Sequence, residues 1–520
     1  MNAVALPAVP GIRQGRVRDS AGKHAVTARS DGTSRRHVVQ GLLAGAMLPG
    51  MARAEALTVS PRPVARPGPK PVAGPDQLIA AARLTGILGY AVLDAGTGAL
   101  LEGLNEGTSL PPASVVKAVT ALYGLEMLGP SHRFRTRVMR RGVITGAALD
   151  GDLVLVGGSD PTLDTDRLGD LVAALAATGL RQVTGQFIVC PGPLPARGAI
   201  APDQPDHVGY NPAVSGLMLN YNRVNFLWKP AGGGWDLRME ATGERFLPRV
   251  VMADMAVVAR EAPLFTYASG EGRDHWTVAE AALGEGGSRW LPLRHPLHHA
   301  AGVFGALCAA QGIRLPAADL VAALPEGLEP IVEDVSKGLE PLLQGMLKYS
   351  TNLTAEVVGL TASGAGTQAG SAAAMRDWAR RRFDISGRFG DHSGLGPLSR
   401  ISAIEMAQVF SRAARTAQAA LLRPLLKETG LADAEGKERA NHPVRILSKS
   451  GTLNFVSGLA GYISPDTGRE LCFAIFAADA PRRAALAMAD REAPEGGEGW
   501  NRRARNLHQG LIRRWVALYA

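Results

Sequence analysis

Pro111-Pro112-Ala113-Ser114-Val115-Val116-Lys117 decides the fold, together with the apolar run over residues 118–125 behind it. Two prolines set an extended approach and disfavour helix before them. The residues after Ser114 are apolar on almost every side, which predicts a helix buried inside a domain with Ser114 at or near its N-terminus. Lys117 follows three residues on, one turn up the same face. A hydroxyl there meets the positive end of the helix dipole, and an amine stands within reach of its proton. The pair says little alone, because Ser20-Ala21-Gly22-Lys23 repeats the spacing.

Working outward, residues 78–84 suit a helix and 86–94 alternate like a strand, turning at 95–98 into 100–103. Strand-like runs follow at 134–139, 151–156 and 181–189, with a helix over 164–175. Residues 190–290 are rich in Gly, Pro and Asn, with short alternations at 225–228, 237–240 and 249–258. That pattern predicts a β-rich insertion. A helix over 299–311 precedes a strand and loop over 315–330 that lead back to the main domain. Helices follow at 339–347, 353–361, 372–383 and 402–415, the third and fourth separated by a loop at 390–395. A strand at 445–452 and two antiparallel strands at 459–464 and 471–477 lead to an Arg-rich amphipathic helix at 500–518, whose charged stripe reads as solvated. The order predicts an α/β (α+β) chain: an antiparallel sheet flanked by helices, an all-helical part, and the insertion between. The divisions are 1–54 as leader, 55–76 as linker, 77–130 with 325–520 as one split domain, and 131–324 as inserted material.

The chain has 520 residues, 46% hydrophobic, with 62 Gly and 34 Pro, a globular composition. Its net charge is +9. Eight basic and two acidic residues fall within 1–54, so six of the nine net charges lie there. The rest is nearly balanced, which argues against a nucleic-acid partner. Ser34-Arg35-Arg36 precedes a short apolar run, and Ala52-Arg53-Ala54 offers a small-x-small cleavage site. This is an export-signal pattern, too short to span a bilayer. The paired arginines resemble a twin-arginine signal, and an ordinary Sec signal fits the same residues. The expected address is the periplasm, with the mature protein soluble or peripheral to the membrane and without an integral span. Residues 55–75 are Pro-rich and read as linker. Cys190, Cys308 and Cys472 lie in apolar surroundings without C-x-x-C spacing and read as buried thiols. No Cys/His cluster indicates a metal, and no phosphate loop or other motif calls for a cofactor.

Two later motifs change the weight of Ser114-x-x-Lys117. Ser350-x-Asn352 lies between two helices, and Lys449-Ser450-Gly451, followed by Thr452, ends a strand. Alone, the first reads as a helix cap and the second as a strand end. In this order, on helix, turn and strand, the three resemble the penicillin-recognising serine peptidases, whose signatures are S-x-x-K, S-x-N and K-T/S-G. Roughly 236 residues separate the first two motifs. With residues 157–163, Asn220-Tyr221-Asn222-Arg223-Val224-Asn225 and Asp391-x-Ser393-Gly394-Leu395, the chain over 77–520 is similar to class C low-molecular-weight penicillin-binding proteins, the D-Ala-D-Ala carboxypeptidase/endopeptidase family.

The resemblance implies a β-lactamase/transpeptidase-like domain and a set of roles. Ser114 would be the nucleophile and Lys117 its base. Ser350 would relay a proton, and Asn352 would orient Lys117 and a substrate amide. Lys449 would supply positive potential, and Ser450, Gly451 and Thr452 would bind substrate. Peptidoglycan stem peptides would be substrates and β-lactam antibiotics covalent inhibitors. Thr351 stands where the family usually has Asp, Ser450 where it usually has Thr, and the loop at 396–399 is longer than the family pattern. A β-lactamase or esterase of the same fold and a silent wall-binding protein are the alternatives. Asp391-His392-Ser393 as another triad, with the loop histidine expected in solvent, and Cys308 as nucleophile are weaker readings.

Overall fold

The computed structural model describes residues 72–431 and 443–520. The expected export signal and residues 55–71 of the expected linker lie outside the described residues.

The first and last strands of the described chain meet in one sheet. Its six strands run in the order Lys427–Thr429, Val444–Leu453, Val456–Pro465, Leu471–Ala478, Ile87–Asp94, Leu100–Leu104. All neighbours are antiparallel, with Ile87 opposite Ala478 and Lys449 opposite Ala460. The period of two sorts side chains between two cores. Tyr90, Val92, Phe473 and Ile475 pack with Leu511 and Trp515 of the helix Gly497–Tyr519. Ala91, Leu93, Ala474 and Phe476 face the other way, onto Met406 and Phe410 of the helix Ala403–Ala414. Every residue of Leu471–Ala478 is buried, as a central strand covered on both faces requires. The Arg-rich helix departs from expectation at one point. Arg514, Trp515 and Tyr519 all donate to the carboxylate of Glu102, at 3.0, 3.0 and 3.2 Å, so Arg514 anchors the helix to the sheet edge rather than facing solvent.

The helix Lys117–Leu128 is buried from Lys117 through Leu125, because it is surrounded by the helices Leu339–Tyr349, Asn352–Ser363 and Gln368–Phe383. A Cβ at Gly124 would lie 2.6 Å from the Val358 side chain, so glycine permits the close approach of the helix Asn352–Ser363.

Between the two halves of this sheet the chain builds three more sheets around a separate core. One is mixed, in the order Ala318–Leu320, Phe187–Cys190, Ala148–Val156, Arg135–Thr145, Glu329–Val335. Two three-stranded sheets contain Arg223–Ala231 and Arg273–Ala279 as their central strands. The expected run at 181–189 is interrupted at Gly185, where a Cβ would meet the Gly151 carbonyl at 2.5 Å; the strands are Gln182–Val183 and Phe187–Cys190. The returning strand Glu329–Val335 pairs with Arg135–Thr145, so this sheet extends beyond the expected boundary at residue 324. The helix Gln418–Leu425 and the short strand Lys427–Thr429 were not expected. All three cysteines are buried and free.

Candidate active site

Ser114 does not sit in the first turn of an α-helix. It lies in a 3-10 turn, Ala113–Val116, and the α-helix begins at Lys117. Ala113 takes a left-handed φ of 45°, uncommon for a residue with a Cβ. The surrounding backbone imposes it. A Cβ at Gly394 would lie 1.9 Å from the Ala113 carbonyl oxygen, and one at Gly451 would lie 2.7 Å from the Pro112 oxygen and 2.8 Å from the Ser114 nitrogen. The loop and the strand therefore grip the turn from two sides at positions where only glycine fits.

Lys117 is completely buried. Its Nζ lies 2.8 Å from Ser114 Oγ, 2.7 Å from Asn352 Oδ1 and 2.7 Å from the Ser393 carbonyl oxygen. Burial, and then the charge of Lys449, hold this amine well below the usual lysine range; Asp391 and Glu356 oppose that shift. Ser350 is the left-handed residue that joins the helices Leu339–Tyr349 and Asn352–Ser363, at φ 58°. Lys449 Nζ donates to Ser350 Oγ at 3.0 Å and to the Ser450 carbonyl at 2.7 Å. Burial, then Lys427, pull the Lys449 amine down to about 8. Strand alternation buries Lys449 and Gly451 and leaves Ser450 and Thr452 exposed together. The structure thus groups Ser114, Lys117 and Asn352 by direct contact, pairs Lys449 with Ser350, and sets Gly451 against the Ser114 backbone. Thr351 precedes the second of the joined helices, but its hydroxyl is buried without a hydrogen-bond partner among the described residues and caps nothing.

Several participants were not expected. The Ser393 carbonyl is one. Asn352 Nδ2 donates to the Tyr210 carbonyl at 2.9 Å, so the middle stretch touches the cluster directly. A backbone acceptor carries no side-chain signal, so neither could be found from residue types. Glu356 could have been found, because it lies four residues after Asn352 on the same helical face. Beside Ala113 and Gly394 lies a cavity of about 310 Å³ lined by Arg400, Arg483, Arg491 and Asp203. Burial holds Arg400 and Arg483 below the ordinary arginine range. Arg491 donates to the Asp203 carbonyl.

The weaker readings separate from the cluster. His392 is fully buried rather than solvated, and its Nε2 lies 2.7 Å from Ser371 Oγ. Burial pulls its imidazole down to about 4. Asp391 accepts instead from the N–H groups of Gly394 and Gly396, at 2.6 and 2.7 Å, so it shapes the loop and does not orient the histidine. Burial pushes the Cys308 thiol up to about 12, which leaves it inert as a nucleophile.

Comparison with known proteins agrees with the motif reading. The D-Ala-D-Ala carboxypeptidase 3 (S13) family matches residues 75–494. A D-alanyl-D-alanine carboxypeptidase of Actinomadura sp. (strain R39) is 39% identical over 101 residues, 19% of each chain, so the match spans about a fifth of that relative's length. The fold is similar to the crystal structure of penicillin binding protein 4 from Haemophilus influenzae, with a TM-score of 0.69 at 18% identity, over 84% of this chain and 99% of that one. The same protein complexed with a novel β-lactam gives a TM-score of 0.66 at 17% identity, over 84% and 99%. At such identities the likeness is one of fold. Because the family match runs through most of the sequence and both sides of the cluster, the chain belongs to the D-Ala-D-Ala carboxypeptidase 3 (S13) family.

Proposed function

We propose that this protein hydrolyses D-Ala-D-Ala termini, and D-Ala-diaminopimelate cross-links, of peptidoglycan stem peptides through an acyl-enzyme on Ser114. The observation that carries the reading is the set of three contacts at Lys117 Nζ. A neutral amine has two N–H donors and one lone pair. The oxygens of Asn352 and Ser393 take both donors, which leaves the lone pair to accept the Ser114 hydroxyl proton. Burial beside Lys449 favours that neutral state.

In this reading Ser114 Oγ attacks the carbonyl carbon while its proton passes to Lys117. The oxyanion sits between the backbone N–H groups of Ser114 and Thr452. Collapse breaks the C–N bond, and the leaving amine takes a proton relayed through Ser350. Lys449 and the exposed hydroxyls of Ser450 and Thr452 hold the terminal carboxylate. The proton taken from Ser114 is the one relayed to the amine, so Lys117 is neutral again; water then loses a proton to Lys117 as it attacks the ester, and that proton returns to Ser114 Oγ as the ester C–O bond breaks. The arginine-lined cavity beside Ala113 has the charge to receive a second carboxylate, which diaminopimelate carries. β-Lactams would acylate the same serine. No motif supplies a separate deacylating glutamate, so penicillin turnover would be slow.

Residues 77–130 and 325–520 would form the peptidase domain, with 131–324 inserted and its sheet completed by the strand Glu329–Val335. The leader pattern would carry the protein to the periplasm by a Sec or twin-arginine route. Among the described residues no helix is long and apolar enough to cross a membrane.

Mass spectrometry of a pentapeptide ending in D-Ala-D-Ala, and of cross-linked wall fragments, tests the activity. The wild type should release D-alanine and split the cross-link, whereas Ser114→Ala and Lys117→Ala should do neither. No cleavage by the wild type, with intact binding to wall material, would instead indicate a silent wall-binding protein. Rapid penicillin hydrolysis without peptide cleavage would indicate a β-lactamase.

A further inference from the structure

We infer that Glu356 is a positioning residue for Lys117, acting through the backbone of Ser393; the inference rests on the reading of Lys117 as the base. Glu356 is completely buried in the helix Asn352–Ser363. Among the described residues it has no ion-pair partner, although an uncompensated buried charge costs several kcal/mol. Its partners are neutral donors. Oε1 accepts from the Ser393 N–H at 2.9 Å and the His392 N–H at 3.2 Å, and Oε2 accepts from Gln368 Nε2 at 3.0 Å. The other side of the Ser393 residue presents its carbonyl to Lys117 Nζ at 2.7 Å. One carboxylate therefore fixes the loop whose carbonyl takes one of the two N–H donors of the base.

The neighbouring contacts support a role confined to this loop. Thr120 Oγ1 donates to the His392 carbonyl at 2.7 Å, pinning the preceding peptide to the helix of Lys117. A Cβ at Gly359 would lie 2.1 Å from the His392 ring, so glycine brings the helix of Glu356 against the loop. Asn352 and Glu356, one turn apart, converge on the same amine. Asn352 reaches it directly and Glu356 reaches it through Ser393. A change at Glu356 should thus alter which way the lone pair points without touching any substrate contact.

Charge gives the readout that a purely structural role would not move. The ionisable groups facing Lys117 are Lys449 on the strand Val444–Leu453, Asp391 in the loop and Glu356. His392, beside Asp391, is held neutral by burial. Glu356 favours the protonated form of Lys117, so removing its charge moves proton loss from the base to lower pH. Asp391 remains and limits the displacement.

The test measures the rate of covalent labelling by a fluorescent penicillin across pH for the wild type, Glu356→Gln and Glu356→Ala, with thermal melting of each. Glu356→Gln keeps one oxygen for the loop N–H groups. Its acid limb should move to lower pH while the plateau stays near wild type. Glu356→Ala should lose about 100-fold at the plateau, the scale of a misplaced general base. If Glu356→Gln keeps the wild-type limb and rates follow only the folded fraction, the inference is overturned, and this comparison decides even where Glu356→Ala does not fold. An unlabelled wild type, or labelling retained in Ser114→Ala, would overturn the site reading itself and this inference with it.

Discussion

Gly394 and Gly451 hold the turn that carries Ser114 at the scale of single residues. Both abut the backbone of residues 112–114, and a Cβ at Gly394 would require the Ala113 carbonyl to move. Gly394 also has a φ of 74°, which adds strain to any replacement. Gly394→Ala should therefore lower penicillin acylation by about 100-fold or more, on the scale of a displaced reacting group, checked by adduct formation under pseudo-first-order conditions. Under the proposed mechanism the two lysines give opposite pH dependences. Lys117 must be neutral to accept a proton, so the rate falls on the acid side. Lys449 must be charged to hold a carboxylate. Its amine titrates at about 8, so it is cationic below that pH and neutral above it. The KM for a D-Ala-D-Ala peptide should rise as pH passes upward through about 8, while kcat changes less; a pH series of initial rates checks this. Side-chain motifs singled out Ser114, Lys117, Ser350, Asn352 and Lys449 as candidates, and the structure brings Lys117 to Ser114 and Asn352 and Lys449 to Ser350. The Ser393 and Tyr210 carbonyls were not legible in the sequence, because any residue type supplies the same acceptor.

Periodicity served well for elements whose two faces differ. The strands Ile87–Asp94 and Leu471–Ala478 each alternate between two cores, and the sequence reading placed both. It failed where an element is too short for a period to show, as in Lys427–Thr429, and where a close backbone approach breaks a strand, as at Gly185. Local capping chemistry sets the start of the helix expected from residue 402. Ser402 precedes the helix Ala403–Ala414, and the Glu405 side chain accepts from the Ser402 N–H at 3.0 Å while Ser402 Oγ accepts from the Glu405 N–H at 3.3 Å. Its side chains bond to each other and to Ser386, none of them in the candidate site. Ser402→Ala should lower stability by about 1 kcal/mol in urea unfolding and leave the acylation rate unchanged.

At the level of the whole molecule, contacts between distant segments decide how the parts are held. Such pairings have no local signal, which is why the pairing of the strand Glu329–Val335 with Arg135–Thr145 was not legible in the sequence. A second long-range tie is Glu492. Its carboxylate meets His207 Nε2 and the Arg289 guanidinium, each at 2.5 Å, joining the C-terminal segment to the middle stretch. Burial raises its pKa, but the hydrogen bond from His207 and the charge of Arg289 outweigh burial and hold the carboxyl down at about 2, against 4.5 for a free glutamate. A carboxylate with a depressed folded pKa stabilises the fold above its unfolded pKa and loses that contribution as pH falls through the folded value. Glu492→Gln should therefore melt earlier than wild type at pH 7, by roughly 1–3 kcal/mol of stability. The difference should shrink between about pH 4.5 and pH 2, which thermal melts across that window would show.

Distant segments bring Lys117, Asn352 and the Ser393 carbonyl together, and in the proposed mechanism this arrangement makes Ser114 a nucleophile. Intact-protein mass spectrometry after incubation with benzylpenicillin, followed by peptide mapping, tests it most directly. One persistent adduct per chain is expected, located on Ser114 and lost in Ser114→Ala and Lys117→Met. An unmodified protein, or an adduct that maps elsewhere or survives in Ser114→Ala, would contradict it.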